Sequence, residues 1–269
     1  MSRRETALEA LSRMGYALGL SLKEKRLDEL MKPLLLPLRT LEVCGDAGSG
    51  KTMMCYSLAA EVLAAKPDGI IYWLDSNATF RGNTLMHIFR RRTYADVEDT
   101  SVLSRVFVKR VFGDEELLQA LDTISAVAED PDSPRVSSIF IDSITGMLEE
   151  SSWRLRDGGR SRQETIAKRL AELKKALGTT IIITNRIVKA EVGKYAKVQH
   201  NDCGWKAALG TFWNKTIPHR ILLYRLADDT LQARLFFPAG RRDTVSEESA
   251  QDRVPFVIGD FGVSDSESL

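Results

Sequence analysis

An α/β fold, a mainly parallel sheet with helices on both faces, follows from three observations. From Arg39 onward short apolar runs alternate with longer segments of helical period. A glycine-rich loop, GDAGSGKT at 45–52, stands between the first apolar run and the first helical segment. A later apolar run, within SSIFIDS, leads straight into an acid, Asp142, as a covered strand does when it delivers a carboxylate to one edge of a sheet.

The runs in order are LEV at 41–43, IIYWL at 70–74, VFVKRVF at 106–112, SIFI at 138–141 and TIIIT at 180–184. Between them the spacing predicts helices over 52–65, 82–92, 114–129 and 162–177. In the last, Ile166, Leu170, Leu173 and Leu177 share one face, while Lys168, Arg169, Glu172 and Lys175 lie elsewhere. Asp114, followed by Glu115 and Glu116, is the expected N-cap of its helix. Before the core, residues 1–38 carry helical spacing through Leu8, Leu11, Leu18, Leu27 and Leu30 and end at Pro33 and Pro37; they read as a short helical preamble. The core is expected over 39–263. After Ala227, LQARLFF and PFVIGDFGV read as two further strands at one end of the sheet, on either side of a polar stretch from Gly240 to Arg253. The tail 264–269, SDSESL, is expected to be disordered.

Bulk properties exclude several classes. The 269 residues suit one large domain, and 43% hydrophobic with 28% charged residues is ordinary globular composition. A balance of 38 basic against 37 acidic residues leaves a net charge of +1, so affinity for nucleic acid must come from local clusters. There is no apolar signal region and no run near the ~20 residues that span a bilayer, which predicts a soluble intracellular protein without membrane partners. Cys44, Cys55 and Cys203 show no CxxC spacing; Cys44 and Cys55 read as small buried hydrophobes. His87, His200 and His219 are scattered, which gives neither a metal site nor a Ser-His-acid triad. Trp73 and Trp213 read as core residues.

The loop Gly45, Asp46, Ala47, Gly48, Ser49, Gly50, Lys51, Thr52 matches G-x-x-x-x-G-K-[ST] in the context that gives it meaning, strand before and helix after. Its glycines let backbone N–H groups face phosphates, Lys51 offers charge to the β- and γ-phosphates, and the Thr52 hydroxyl reaches Mg²⁺. ATP with Mg²⁺ is the expected cofactor. Asp142, at the end of SSIFIDS, is the expected second magnesium residue; a helix N-cap is the plainer alternative.

Beyond these two half-sites the sequence resembles the RecA-like recombinase family, and in particular the eukaryotic accessory paralogues of the strand-exchange recombinase. The resemblance runs from about Leu41 to Val263. It rests on the order and spacing of GDAGSGKT, LDSNATFR at 74–81, VFVKRVFGDEELL at 106–118, IFIDSITGMLEE at 139–150, IIITNRIV at 181–188, and WKAALGTFW followed by HRILLYR. It implies a RecA-like P-loop ATPase core.

Three departures matter. In the family a glutamate two positions after the Asp of the second strand polarises the attacking water; here Asn77 stands there. An amide orients water without accepting its proton, and general-base assistance is typically worth 10²–10⁴-fold, so hydrolysis is expected to be slow or absent unless Glu149, Glu150 or a partner subunit substitutes. The residue after Thr184-Asn185, commonly a γ-phosphate-sensing glutamine, is Arg186, whose charge suits either bound ATP or a DNA groove. The family's recombinases carry an N-terminal helical DNA-binding domain for which 38 residues leave no room, and no Phe-x-x-Ala self-association motif stands out. Pairing with a related subunit is therefore expected rather than long homopolymers.

Two basic segments lie where the family has its DNA loops. WRLRDGGRSR at 153–162 holds Arg154, Arg156, Arg160 and Arg162 against Asp157; the stretch between Ile187 and Gly210 interleaves Lys189, Lys194, Lys197 and Lys206 with Tyr195 and Trp205. Lys and Arg neutralise phosphates and aromatic faces stack bases of any sequence, which suits single strands; a merely solvated charged loop is the alternative for each. Taken together, these readings predict an accessory, mediator factor of homologous recombination and DNA repair in the nucleus. It would bind ATP and single-stranded DNA and remodel or stabilise a recombinase filament within a hetero-oligomer. A DNA-stimulated ATPase, a small-molecule kinase and a nucleotide-independent scaffold remain the rival readings.

Overall fold

The computed structural model describes residues 20–32, 34–35, 38–94, 100–130, 132–155, 157, 159–189, 205–236 and 253–266, with backbone alone at 128–129 and 152–154. Leu8, Leu11, Leu18, Pro33, Pro37, Arg156, Lys194, Tyr195, Lys197, His200 and Cys203 lie outside the described residues, as does the side chain of Arg154.

The elements in order are α1 (Lys25–Met31), β1 (Thr40–Gly45), α2 (Lys51–Ala65), β2 (Ile70–Asp75), α3 (Gly82–Thr93), a 3-10 turn (Ser101–Arg105), β3 (Val106–Arg110), α4 (Asp114–Glu129), β4 (Val136–Asp142), α5 (Ile144–Arg154), α6 (Arg160–Leu177), β5 (Thr180–Lys189), β6 (Trp205–Ala207), α7 (Gly210–Thr216), β7 (Arg220–Arg225), β8 (Leu231–Leu235), β9 (Arg253–Gly259) and β10 (Gly262–Asp265). The sheet order is β10-β9-β8-β7-β1-β5-β4-β2-β3, with β6 against β5. From β7 to β3 the pairs are parallel; β7 to β10 continue antiparallel.

Central strands covered on both faces read as unbroken apolar runs because both side-chain directions meet packing. All seven residues of β4 are buried, as are all six of β1. One face packs Leu27 of α1, Met54 and Leu58 of α2, and Leu85 of α3 against Val43, Trp73 and Phe140. The other packs Leu117 and Leu121 of α4, Met147 of α5, Ile166, Leu170 and Leu173 of α6, and Trp213 of α7 against Leu74, Ile141 and Ile183. The α6 stripe is the one its spacing predicts; each fully buried side chain of this kind stabilises the fold by roughly 1.5–3 kcal/mol. Cys44, Cys55, Trp73 and Trp213 are all buried.

Several boundaries differ for physical reasons. The N-cap of α4 is Gly113, at φ 111, and Asp114 is the first helical residue, where with Glu115 and Glu116 it still meets the positive end of the helix. β3 stops at Arg110, and the Val111 N–H, donating to the Asp75 carbonyl at 3.0 Å, completes its last parallel pair with β2. PFVIGDFGV is a hairpin rather than one strand: Gly262, at φ 76, folds β10 back on β9, so three strands follow β7 where two were expected. The segment expected to be disordered from Ser264 is strand through Asp265, whose carboxylate accepts the N–H groups of Arg26 at 2.8 Å and Leu27 at 3.1 Å. Arg92 closes the same corner, donating to the carbonyls of Leu22, Phe261 and Val263.

Two helices went unpredicted. α5 begins where the Ser143 hydroxyl accepts the Gly146 N–H. α7, GTFWNKT, is built from poor helix formers and is held by tertiary contacts: the Asn214 amide donates to the carbonyls of Ala207 and Gly210, and Arg220 to those of Trp213 and Asn214.

Candidate functional site

The parallel strands β1, β5, β4 and β2 deliver their C-terminal ends to one edge, where open α/β sheets place their ligands. β1 ends at Gly45, opposite Arg186 of β5, and Asp75 of β2 stands opposite Asp142 of β4. The loop after β1 needs its glycines. A Cβ on Gly45 would lie 2.2 Å from Ser49 Oγ and 2.4 Å from the Leu223 carbonyl oxygen, and Gly48 and Gly50 sit at φ 72 and 95. Within the loop Asp46 accepts the Ala47 N–H at 2.8 Å through its side chain and the Lys51 ammonium at 2.6 Å through its carbonyl. Burial lowers the Lys51 pKa, an effect opposed by Asp142 and Asp46; a bound phosphate would oppose it further.

Thr52, in the first turn of α2, donates its hydroxyl to Asp142 at 2.8 Å, and Thr184 of β5 donates to the other carboxylate oxygen at 2.5 Å. Burial raises the Asp142 pKa, and these two hydrogen bonds work the other way. The donor set fits a magnesium triphosphate. Because Thr52 spends its proton on Asp142, its lone pairs are left for a cation, and the buried Ser49 hydroxyl has no partner among the described residues. Thr52 and Asp142 would hold Mg²⁺, and Lys51 with the N–H groups of the loop and of α2 would hold the phosphates. The sequence reading does not bring Thr184 to Asp142, because nothing in TIIIT distinguishes its last hydroxyl from a strand threonine.

Asp75 is buried and fully occupied, accepting the N–H groups of Asn77 at 3.0 Å and Phe80 at 2.8 Å. It thereby shapes the turn that carries Asn77, an exposed side chain whose Oδ1 would lie 3.5 Å from a Cβ placed on Gly146. The same turn is anchored by Tyr56, whose hydroxyl accepts the Arg81 N–H at 2.6 Å while its ring stacks on Trp73 with centroids 4.9 Å apart. The Arg186 guanidinium is paired with Glu149 of α5. One charge of the expected nucleotide edge is thus neutralised within the chain, and one of the acids named as a substitute base is engaged by it.

The basic segments divide. Arg160 projects over the Phe212 ring, 5.5 Å from its centroid. Arg162, grouped with it by sequence, instead pairs with Asp114 at 3.1 Å and Glu115 at 3.2 Å, so its charge is spent on α4. Lys189 and Lys206 are exposed on the paired strands β5 and β6, and half-buried Trp205 stands opposite Lys189. The two loops meet at their roots: Gln163 of α6 donates to the Leu209 carbonyl at 3.0 Å. Sequence reasoning also missed Arg225, which donates to the Gly48 carbonyl of the glycine-rich loop at 3.2 Å, and Glu42. The signal for Glu42 was there, a lone acid inside an apolar strand.

The Rad51 family model matches residues 17–223, more than half of the chain. A RAD51-like protein 1 of Caenorhabditis briggsae is 32% identical over 263 residues, 96% of this chain and 94% of its own length. The RAD51-like protein 1 of Caenorhabditis elegans is 28% identical over 261 residues with the same coverage. The DNA repair protein RAD51 homolog 4 of Mus musculus is 28% identical over 200 residues, 73% of this chain and 58% of its own.

Proposed function

The chain belongs to the Rad51 family, and from that premise we propose that this paralogue serves recombination and DNA repair as a mediator that binds ATP·Mg²⁺ and single-stranded DNA. In this reading it stabilises or remodels a recombinase filament as one subunit of a hetero-oligomer in the nucleus, and hydrolyses ATP weakly or not at all. The observation that carries the reading is the contact of Thr52 with Asp142 beside a turn that presents Asn77. The parts that grip a metal–triphosphate come together, while the position for a water-activating carboxylate holds an amide. Nucleotide then acts as a ligand that shapes the subunit.

Two further features support it. Lys189, Lys206 and Arg160 are exposed near aromatic side chains at the roots of the basic loops, which suits sequence-tolerant binding of a single strand. β3 is an edge strand whose Phe107 and Val108 are exposed, with exposed Phe112 just beyond it. A sheet edge of this kind favours pairing with another subunit by strand addition.

The test is made on the pure chain and on its complex with co-purified subunits, measuring ATP binding and phosphate release with and without single-stranded DNA. Tight binding with little turnover, lost in Lys51→Ala, is expected. Brisk multiple-turnover hydrolysis by the pure chain that Lys51→Ala abolishes would overturn the weak-hydrolysis reading.

A further inference from the structure

The sheet has a second edge, where the parallel strands begin, at the opposite end from the glycine-rich loop. Three neighbouring strands, β7, β1 and β5, start there directly after His219, Arg39 and Thr179. Arg39 donates to Nδ1 of His219 at 3.4 Å, and Lys174, in the last turn of α6, donates to the Thr40 hydroxyl at 3.5 Å. Backbone bonds hold the same groups together: the Thr179 N–H donates to the Lys174 carbonyl at 3.3 Å, and the Ile181 N–H to the Arg39 carbonyl at 3.2 Å. Thr179 is 2% exposed, and its hydroxyl has no partner among the described residues.

Charge compensation changes within one step along this edge. Arg220, the first residue of β7, is buried and pairs with buried Glu42 of β1, whose other carboxylate oxygen accepts Asn185 at 2.8 Å and Trp213 at 2.6 Å. That cation is neutralised, as a buried charge must be. Lys174 differs: burial lowers its pKa, the Arg39 guanidinium lowers it further, and no carboxylate of the described residues acts against them. The C-terminal end of α6 offers the ammonium about half a negative charge, short of the full charge of Lys174 alone. Half-buried cations beside a buried hydroxyl without a partner are the surroundings an oxyanion requires.

We propose that Arg39, Lys174 and Thr179 form a seat for a phosphate dianion, either inorganic phosphate or the monoester of a partner's phosphorylated serine or threonine. The charge decides the class. A monoester carries about −1.5 to −2 at neutral pH and so matches two cations, whereas a backbone diester carries a single charge and is flanked by sugars that a half-buried seat between strand starts does not admit. The seat lies at the opposite end of β1 from the glycine-rich loop, and it does not depend on the chain binding ATP or DNA.

The experiment follows the thermal midpoint of the full chain, in a Lys51→Ala background that weakens the glycine-rich loop, during titration with inorganic phosphate, O-phosphoserine and dimethyl phosphate at ionic strength held constant with chloride. Inorganic phosphate is expected to raise the midpoint saturably, and Lys174→Met and Arg39→Met are each expected to weaken its apparent affinity about tenfold or more, the loss of a charge-assisted hydrogen bond. Without phosphate the midpoint of Lys174→Met should equal or exceed that of its parent. The lowered Lys174 pKa means that the folded chain holds this proton less tightly than the unfolded chain, so the charge costs stability that methionine does not lose. A clear fall in that midpoint would mark Lys174 as a structural residue and overturn the inference. Phosphoserine binding within about threefold of phosphate assigns the seat to a partner's modified side chain, a response to phosphate alone assigns it to the free ion, and both uphold the dianion. Undiminished phosphate affinity in folded Lys174→Met overturns the inference, as does dimethyl phosphate binding as tightly as phosphate, or no response to either dianion.

Discussion

The Thr52 hydroxyl donates to the Asp142 carboxylate across 2.8 Å, joining residues 90 positions apart. In the proposed site the contact would orient Thr52 as a cation ligand with Asp142 behind it. Supporting partners of this kind commonly set metal affinity by 10–100-fold. Asp142→Asn is expected to weaken Mg²⁺-dependent ATP binding about tenfold or more, read by titration with and without EDTA. Stability should move the other way. Burial raises the Asp142 pKa, so the folded chain holds the proton more tightly than the unfolded chain, and charging the group at neutral pH costs stability that the amide does not lose. The metal-free thermal midpoint of Asp142→Asn should equal or exceed that of wild type; a clear fall would contradict this account.

Asn77 lies on a turn whose backbone is fixed by Asp75 and Tyr56. Since the scaffold is independent of the side chain at 77, Asn77→Glu should leave folding unchanged and raise phosphate release, up to the 10²–10⁴-fold typical of general-base assistance. An unchanged rate in a folded, ATP-binding variant would place the defect elsewhere, with the Arg186–Glu149 pair the next residues to change.

Arg160 and Arg162 should behave differently despite their spacing. Arg162 is committed to Asp114 and Glu115, so Arg162→Ala should cost about 0–1 kcal/mol of stability and leave DNA affinity close to wild type. Arg160→Ala should weaken single-stranded DNA binding and reduce the slope of log affinity against log salt by roughly 0.7. Fluorescence anisotropy at several salt concentrations decides, and equal slopes for the two variants would reject the distinction.

Alkaline pH offers a test of the Tyr56 anchor. Burial pushes its phenol from 10.0 to about 12, so between these values the unfolded chain releases a proton that the folded chain keeps, and stability falls as pH rises through that window. Urea midpoints should decline from pH 10 toward pH 12. Tyr56→Phe should flatten part of this decline while lowering stability at neutral pH by roughly 1 kcal/mol, because the Arg81 N–H loses its part-buried acceptor. A decline of the same steepness in Tyr56→Phe would assign it to other groups, Tyr72 first, whose phenol burial also raises.

The alternating pattern, the glycine-rich loop and the strand-ending Asp142 were legible in the amino-acid sequence because each is a local property, whereas the meaning of the amide at 77 came only through the family resemblance. Apolar runs, glycines that permit positive φ and covalent spacing act within a few residues of one another. Tertiary structure alone decided that Arg162 serves α4, that Arg186 meets Glu149, that Thr184 joins Thr52 on Asp142, and that poor helix formers at 210–216 become a helix. Each of these depends on which strands lie side by side. The order β7-β1-β5-β4-β2 brings together groups that no spacing rule connects, and burial then determines which charges must find partners inside the chain and which remain exposed for a ligand.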